Sequence, residues 1–164
     1  MRALQRRLRG VSTSAAISLA LALVAAPLAA QKTSLTVTGG TIAFPVPTAA
    51  DYIAGYVDAT TGVTFTINSV NGVARTTTVS IRSTSASLGN GKVIGDFQWR
   101  RSDLANWNSI ALTDAQVEQR IVINKGLNDP WNNTIFFRML LNWTTDSPAT
   151  YSANYQITLS QTVP

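Results

Sequence analysis

Residues 134–161 read TIFFRMLLNWTTDSPATYSANYQITLSQ, and this stretch decides the fold. In its second half Tyr151, Ala153, Tyr155, Ile157 and Leu159 share one parity, and Ser152, Asn154, Gln156, Thr158 and Ser160 share the other. A period of two marks a strand with one buried face. In the first half Ile135, Phe137, Met139, Leu141 and Trp143 alternate with Thr134, Phe136, Arg138, Leu140 and Asn142. Both parities carry apolar groups there, which predicts a central strand covered on both faces, or else an exposed patch at Phe136 and Leu140. Between the halves, residues 144–150 contain Ser147-Pro148, a turn-initiating step, so the stretch predicts a long hairpin.

The rest of the chain supplies strands to go with it. From Lys32 onward Thr, Ser, Val, Ile and Asn dominate. Residues 34–38 alternate, Gly39-Gly40 interrupts, and Pro45 and Pro47 end any ladder after residues 41–44. Residues 48–55 predict one or two helical turns, with Thr48 as N-cap and Gly55 as C-terminal stop. Residues 56–59 are extended again and 60–62 turn. Val63, Phe65 and Ile67 alternate with Thr64, Thr66 and Asn68, and Asn71-Gly72 then predicts a second hairpin leading into residues 77–83.

A polar loop is expected over 83–91, a strand over 93–101, a turn over 102–108 and a short strand over 109–112. One helical turn is expected at 113–116, a strand at 120–124, and a loop over 125–133. Short strands with turn signals every eight to twelve residues predict an all-β fold: an antiparallel immunoglobulin-like β-sandwich of seven to nine strands over residues 31–164. No helix-length periodic segment separates the strands, which argues against a parallel α/β sheet.

Residues 1–30 read as an export signal, or as an uncleaved membrane anchor. Arg2, Arg6, Arg7 and Arg9 precede an apolar run over residues 15–30, which ends in small residues before Gln31. Sixteen apolar residues give about 24 Å of helix, short of the roughly 30 Å bilayer core, and this favours cleavage. The leader takes four of the 13 Lys and Arg and none of the 8 Asp and Glu, leaving 9 against 8. The sequence pI near 10.1 is therefore mostly a targeting feature, and no nucleic-acid partner is expected.

The chain has no Cys and no His, and Glu118 is its single Glu. A disulfide framework and a thiolate metal site are excluded, and the commonest general base is missing. The seven Asp are scattered, with no calcium-loop spacing. No cofactor is expected. A hydrolase would have to work through groups such as Asp96, Asp103 and Glu118 alone.

Candidate partner-binding residues are Trp99, Arg100 and Arg101, where an indole adjoins two cations, and Trp107 and Trp131, each in an Asn-bearing loop. Trp and Arg are the residues of interface hot spots, and Trp beside amides suits stacking on sugars. Each also has a structural reading: Trp closing the ends of the core, and paired Arg guarding an edge strand against aggregation.

Residues 137–143 followed by 150–159, with the Thr150-Tyr151 step entering an alternating strand, resemble the final hairpin of secreted bacterial immunoglobulin-like and pilin-like β-sandwich domains. The resemblance covers about the last thirty residues. It implies a structural or adhesive extracytoplasmic role with no catalytic residues, although the cysteine pair usual in strand-donating pilus subunits is absent.

The expectation is a non-enzymatic exported structural or interaction subunit, periplasmic or at the cell surface. It would bind a protein partner at the cell envelope, in one version as an accessory subunit on the outer face of a respiratory or photosynthetic membrane complex. The alternative is a carbohydrate-binding or adhesive module.

Overall fold

A computed structural model describes residues 32–38, 42–70, 75–122 and 131–162; the expected leader at residues 1–30 lies outside them. In chain order the elements are β1 (Lys32–Thr38), α1 (Ala49–Ala54), β2 (Tyr56–Asp58), β3 (Val63–Val70), β4 (Arg75–Ser83), β5 (Ser87–Gly89), β6 (Lys92–Val93), a 3-10 turn (Ile94–Asp96), β7 (Phe97–Arg101), β8 (Asn108–Ser109), β9 (Ala115–Val122), β10 (Trp131–Leu140) and β11 (Tyr155–Thr162). The fold is mostly β. All strand pairs are antiparallel.

The larger sheet runs β1-β3-β10-β7-β8, with β2 pairing the C-terminal end of β10. The smaller sheet runs β11-β4-β9, and β5-β6 forms a separate hairpin. Alternation chooses the buried faces: Val63, Phe65 and Ile67 on β3, Val79 and Ile81 on β4, Phe97 and Trp99 on β7, and Ile135, Phe137 and Met139 on β10 all enter one core cluster. Phe137 joins the two sheets. Its ring stacks on Phe97 of its own sheet at 5.4 Å and meets Tyr155 of the other at 5.3 Å.

Both expected hairpins are absent. β10 and β11 belong to different sheets, as do β3 and β4, although the turn residues 71–74 themselves lie outside the described residues. The reason is burial. The apolar faces on each side of Asn71-Gly72 point at the same core from opposite sides, and a flat two-residue hairpin would put both in one sheet. β10 is instead a central strand flanked by β3 and β7, but only one of its faces is fully covered, since Phe136 on the other stays exposed. Tyr151 and Ala153 are buried, but they precede β11; Ser152 makes a single bridge to Ala43.

Three smaller expectations also fail. Ala115 and Gln116 extend β9 instead of forming a helical turn, because they pair with Ile81 and Ser80. Residues 83–91 are not all loop: β5 and the buried Leu88 lie there. Trp131, expected in a loop, is the first residue of β10. The helix at residues 48–55 forms as read. Thr48 and Asp51 make a reciprocal capping box, and Gly55 takes a left-handed φ of 79°.

The register of β4 against β9 slips at Val79/Ser80, skipping Val117. Such a bulge lets two consecutive residues turn inward, and Val117 and Glu118 are both buried.

The β5-β6 hairpin is fixed by a buried ion pair. Lys92, with 3% of its side chain exposed, contacts Asp146, with 4% exposed. Asp146 also accepts the Asn142 N–H at 2.7 Å. Burial alone would raise the Asp146 pKa, but Lys92 and the Asn142 N–H together hold it below the ordinary 3.8. Its stabilisation is present above that ordinary value and is lost as pH falls through the depressed one.

Removing one partner strands the other charge, so Lys92→Met should cost about 3–5 kcal/mol in urea unfolding. Adding Asp146→Asn to that variant should recover part of the loss.

Burial pushes the Tyr151 phenol up to about 12, while its hydroxyl donates to the Ser147 carbonyl at 2.8 Å. Below the ordinary value of 10.0 this tyrosine is neutral whether folded or not. Above it the unfolded chain gains by ionising, so stability should fall from about pH 10 to 12. Ultraviolet titration of the wild type against Tyr151→Phe, with urea melts across that range, checks this.

Candidate functional site

The larger sheet has an outer face whose centre mixes aromatic rings with charged groups. On β10 the outward residues are Thr134, Phe136, Arg138 and Leu140; Arg138 pairs in register with Asp58 of β2, and Phe136 with Arg100 of β7. Trp107, from the segment between β7 and β8, lies across them. The Arg138 guanidinium sits 3.5 Å from the Tyr56 ring centroid and 4.0 Å from that of Trp107. The Arg100 guanidinium sits 5.1 Å from Trp107 and 5.1 Å from Phe136. The order Tyr56, Arg138, Trp107, Arg100, Phe136 thus alternates aromatic and cation. Each contact contributes about 0.5–1 kcal/mol when exposed and more as it is desolvated.

Charge on this face is partly balanced. Arg138 forks onto Asp58 at 2.9 and 3.4 Å. Arg100 donates from Nη1 to the Leu104 carbonyl at 2.9 Å, and among the described residues it has no carboxylate partner. Beside Trp107 opens a pocket of about 190 Å³, lined by Asp58, Ala59, Arg100, Trp107, Phe136 and Phe137. Phe136 is 37% exposed.

Gly62 makes the arrangement possible. A Cβ there would stand 2.7 Å from Thr134 Cγ2 and 2.9 Å from Phe136 Cδ1.

The five residues singled out in the sequence go to three places. Trp99 and Trp131 are in the core, 4% and 6% exposed. Trp131 meets Phe65 edge-on at 6.0 Å, under the Arg120 guanidinium at 4.6 Å. Arg100 and Trp107 meet on the outer face. Arg101 turns to the sheet junction, where it ion-pairs with Asp103, donates to the Val117 carbonyl at 3.1 Å and approaches Glu118 at 3.8 Å. The hydrogen bond from Arg101 holds the Asp103 carboxyl down at about 2.

Glu118 is buried against Arg120 at 2.6 Å and Asn133 at 3.3 Å, and Asp96 lies 3.8 Å from Lys92. These carboxylates are committed to cations of the fold. Among the described residues no three of His, Cys, Asp and Glu come together as a metal site, and no helix is long and apolar enough to cross a membrane.

Sequence reading missed Tyr56, Asp58 and Arg138. The parity that put Phe136 and Arg138 on one face of β10 was the usable signal; that β2 and Trp107 converge there was not visible. No protein-family model matches the chain, and no curated protein matches it.

Gly62→Ala should displace Phe136 and Thr134 and cost about 1–3 kcal/mol, as overpacking does. Urea unfolding measures the loss, and aromatic proton shifts of Phe136 report the movement.

Proposed function

We propose that this chain is an exported, non-enzymatic interaction subunit of the cell envelope. Its two sheets would form an immunoglobulin-like sandwich, and its outer face would dock on a protein partner. In its fullest form it is an accessory subunit on the periplasmic face of a membrane complex of respiratory or photosynthetic type.

The observation that carries the docking reading is the Tyr56–Arg138–Trp107–Arg100–Phe136 array. Trp, Tyr and Arg are the residues that dominate interface energetics, and here they are gathered on the face an antiparallel sheet normally turns to water. The basic-then-apolar leader of residues 1–30 supports export.

A carbohydrate-binding module is the weaker reading. Trp131, one of its two candidate platforms, is 6% exposed and already packed on Phe65.

The test is mild-detergent recovery of the native protein from envelope membranes, with mass spectrometry of its N-terminus and of the chains that come with it. A stoichiometric partner is expected. Trp107→Ala should reduce its recovery about tenfold, the effect of losing roughly 1.4 kcal/mol, while the chain still unfolds in one cooperative circular dichroism transition, lowered by several degrees through the lost contacts to Arg100 and Arg138. A retained leader supports the anchored accessory form, and a start near Gln31 supports a soluble one. A protein recovered alone sinks the docking reading.

A further inference from the structure

We propose that the Trp107 pocket receives an acidic, apolar peptide segment of the partner. One aliphatic or aromatic side chain enters against Phe136 and Trp107, and a neighbouring Asp or Glu of the partner pairs with Arg100. This rests on the docking reading and specifies its chemistry.

Size is the first ground. About 190 Å³ holds one apolar side chain, and falls below the roughly 300–1,000 Å³ of clefts that enclose whole small molecules.

Charge is the second. Asp58 also lines the pocket, but its carboxylate is taken by Arg138 at 2.9 and 3.4 Å, so that pair is neutral toward a ligand. Arg100 carries the uncompensated charge. Its Nη1 is used by the carbonyls of Leu104 at 2.9 Å and Arg101 at 3.5 Å. Among the described residues its Nε and Nη2 make no hydrogen bond. Those two donors lie on one edge of the guanidinium plane, the edge a carboxylate grips with two parallel hydrogen bonds.

Preorganisation is the third. The backbone carbonyls and the Trp107 and Phe136 rings hold Arg100 half-buried, so little side-chain freedom is left to lose on binding.

The experiment titrates the purified full chain with the peptide acetyl-Leu-Glu-Phe-Glu-Leu-amide, with its twin carrying Gln for both Glu, and with maltohexaose. Nitrogen–proton spectra follow the Trp107 indole and the Arg100 Nε–H. The acidic peptide should move both signals and bind about tenfold or more tightly than its twin, the low end for hydrogen bonds to a charged group. Arg100→Gln should abolish that preference and Arg100→Lys retain part of it, which separates charge from loss of fold.

Equal binding of the twins, or no shift from either, overturns the inference. A response at Trp107 to maltohexaose alone overturns it in favour of a glycan. If the membrane partner is still captured while the peptides fail, only this inference falls; if capture fails as well, the docking reading falls with it.

Discussion

A strand paired along both edges has no free backbone, so only its two faces can differ from those of its neighbours. β10 is such a strand, held by β3 and then β2 along one edge and by β7 along the other. Its inward residues Ile135, Phe137 and Met139 are at most 1% exposed. Phe137 couples the sheets through Phe97 and Tyr155. Because the inner face is filled, the register is fixed: a slip of one residue would exchange Phe137 for Phe136 or Arg138. The same fixed register delivers Phe136 and Arg138 to the outer face opposite Arg100 and Asp58. Core and candidate site are therefore two consequences of one alternation.

The ends and edges are held by buried charge instead. Lys92 with Asp146 pins the β5-β6 hairpin to the segment after β10, and Glu118 with Arg101 and Arg120 ties the edge of one sheet to the other. Pairs of this kind add little net stability, because desolvation offsets most of the Coulomb gain. Their effect is to penalise alternatives in which either charge is left without its partner. The bulge at Val117 belongs to this device: it turns Glu118 inward and exposes the carbonyl that Arg101 binds.

Local chemistry was readable from the sequence. The Thr48 cap, the Gly55 stop and the alternation of β3, β4 and β10 all form as their residues imply. Connectivity was not, because Asn71-Gly72 and Ser147-Pro148 report that the chain turns but not whether it returns to the same sheet. Only the shared core decides that, and the core is a property of all the strands together. Half of the candidate site was lost for the same reason. Arg100 and Trp107 stood out as residue types, whereas Tyr56, Asp58 and Arg138 acquire their place through β2 pairing with β10, a contact between distant segments.

From β3 onward, sending each successive long strand to the opposite sheet has a kinetic consequence. Thr64 meets Thr134 across 70 residues, Arg82 meets Gln156 across 74, and Gln161 meets Thr77 across 84. Chains dominated by such long loops fold in milliseconds to seconds rather than microseconds. β4 gains its second neighbour only when β11 arrives, so a chain emerging N-terminus first carries β4 with one edge open until β11 is free. The smaller sheet is thus closed over β4 only when β11 docks.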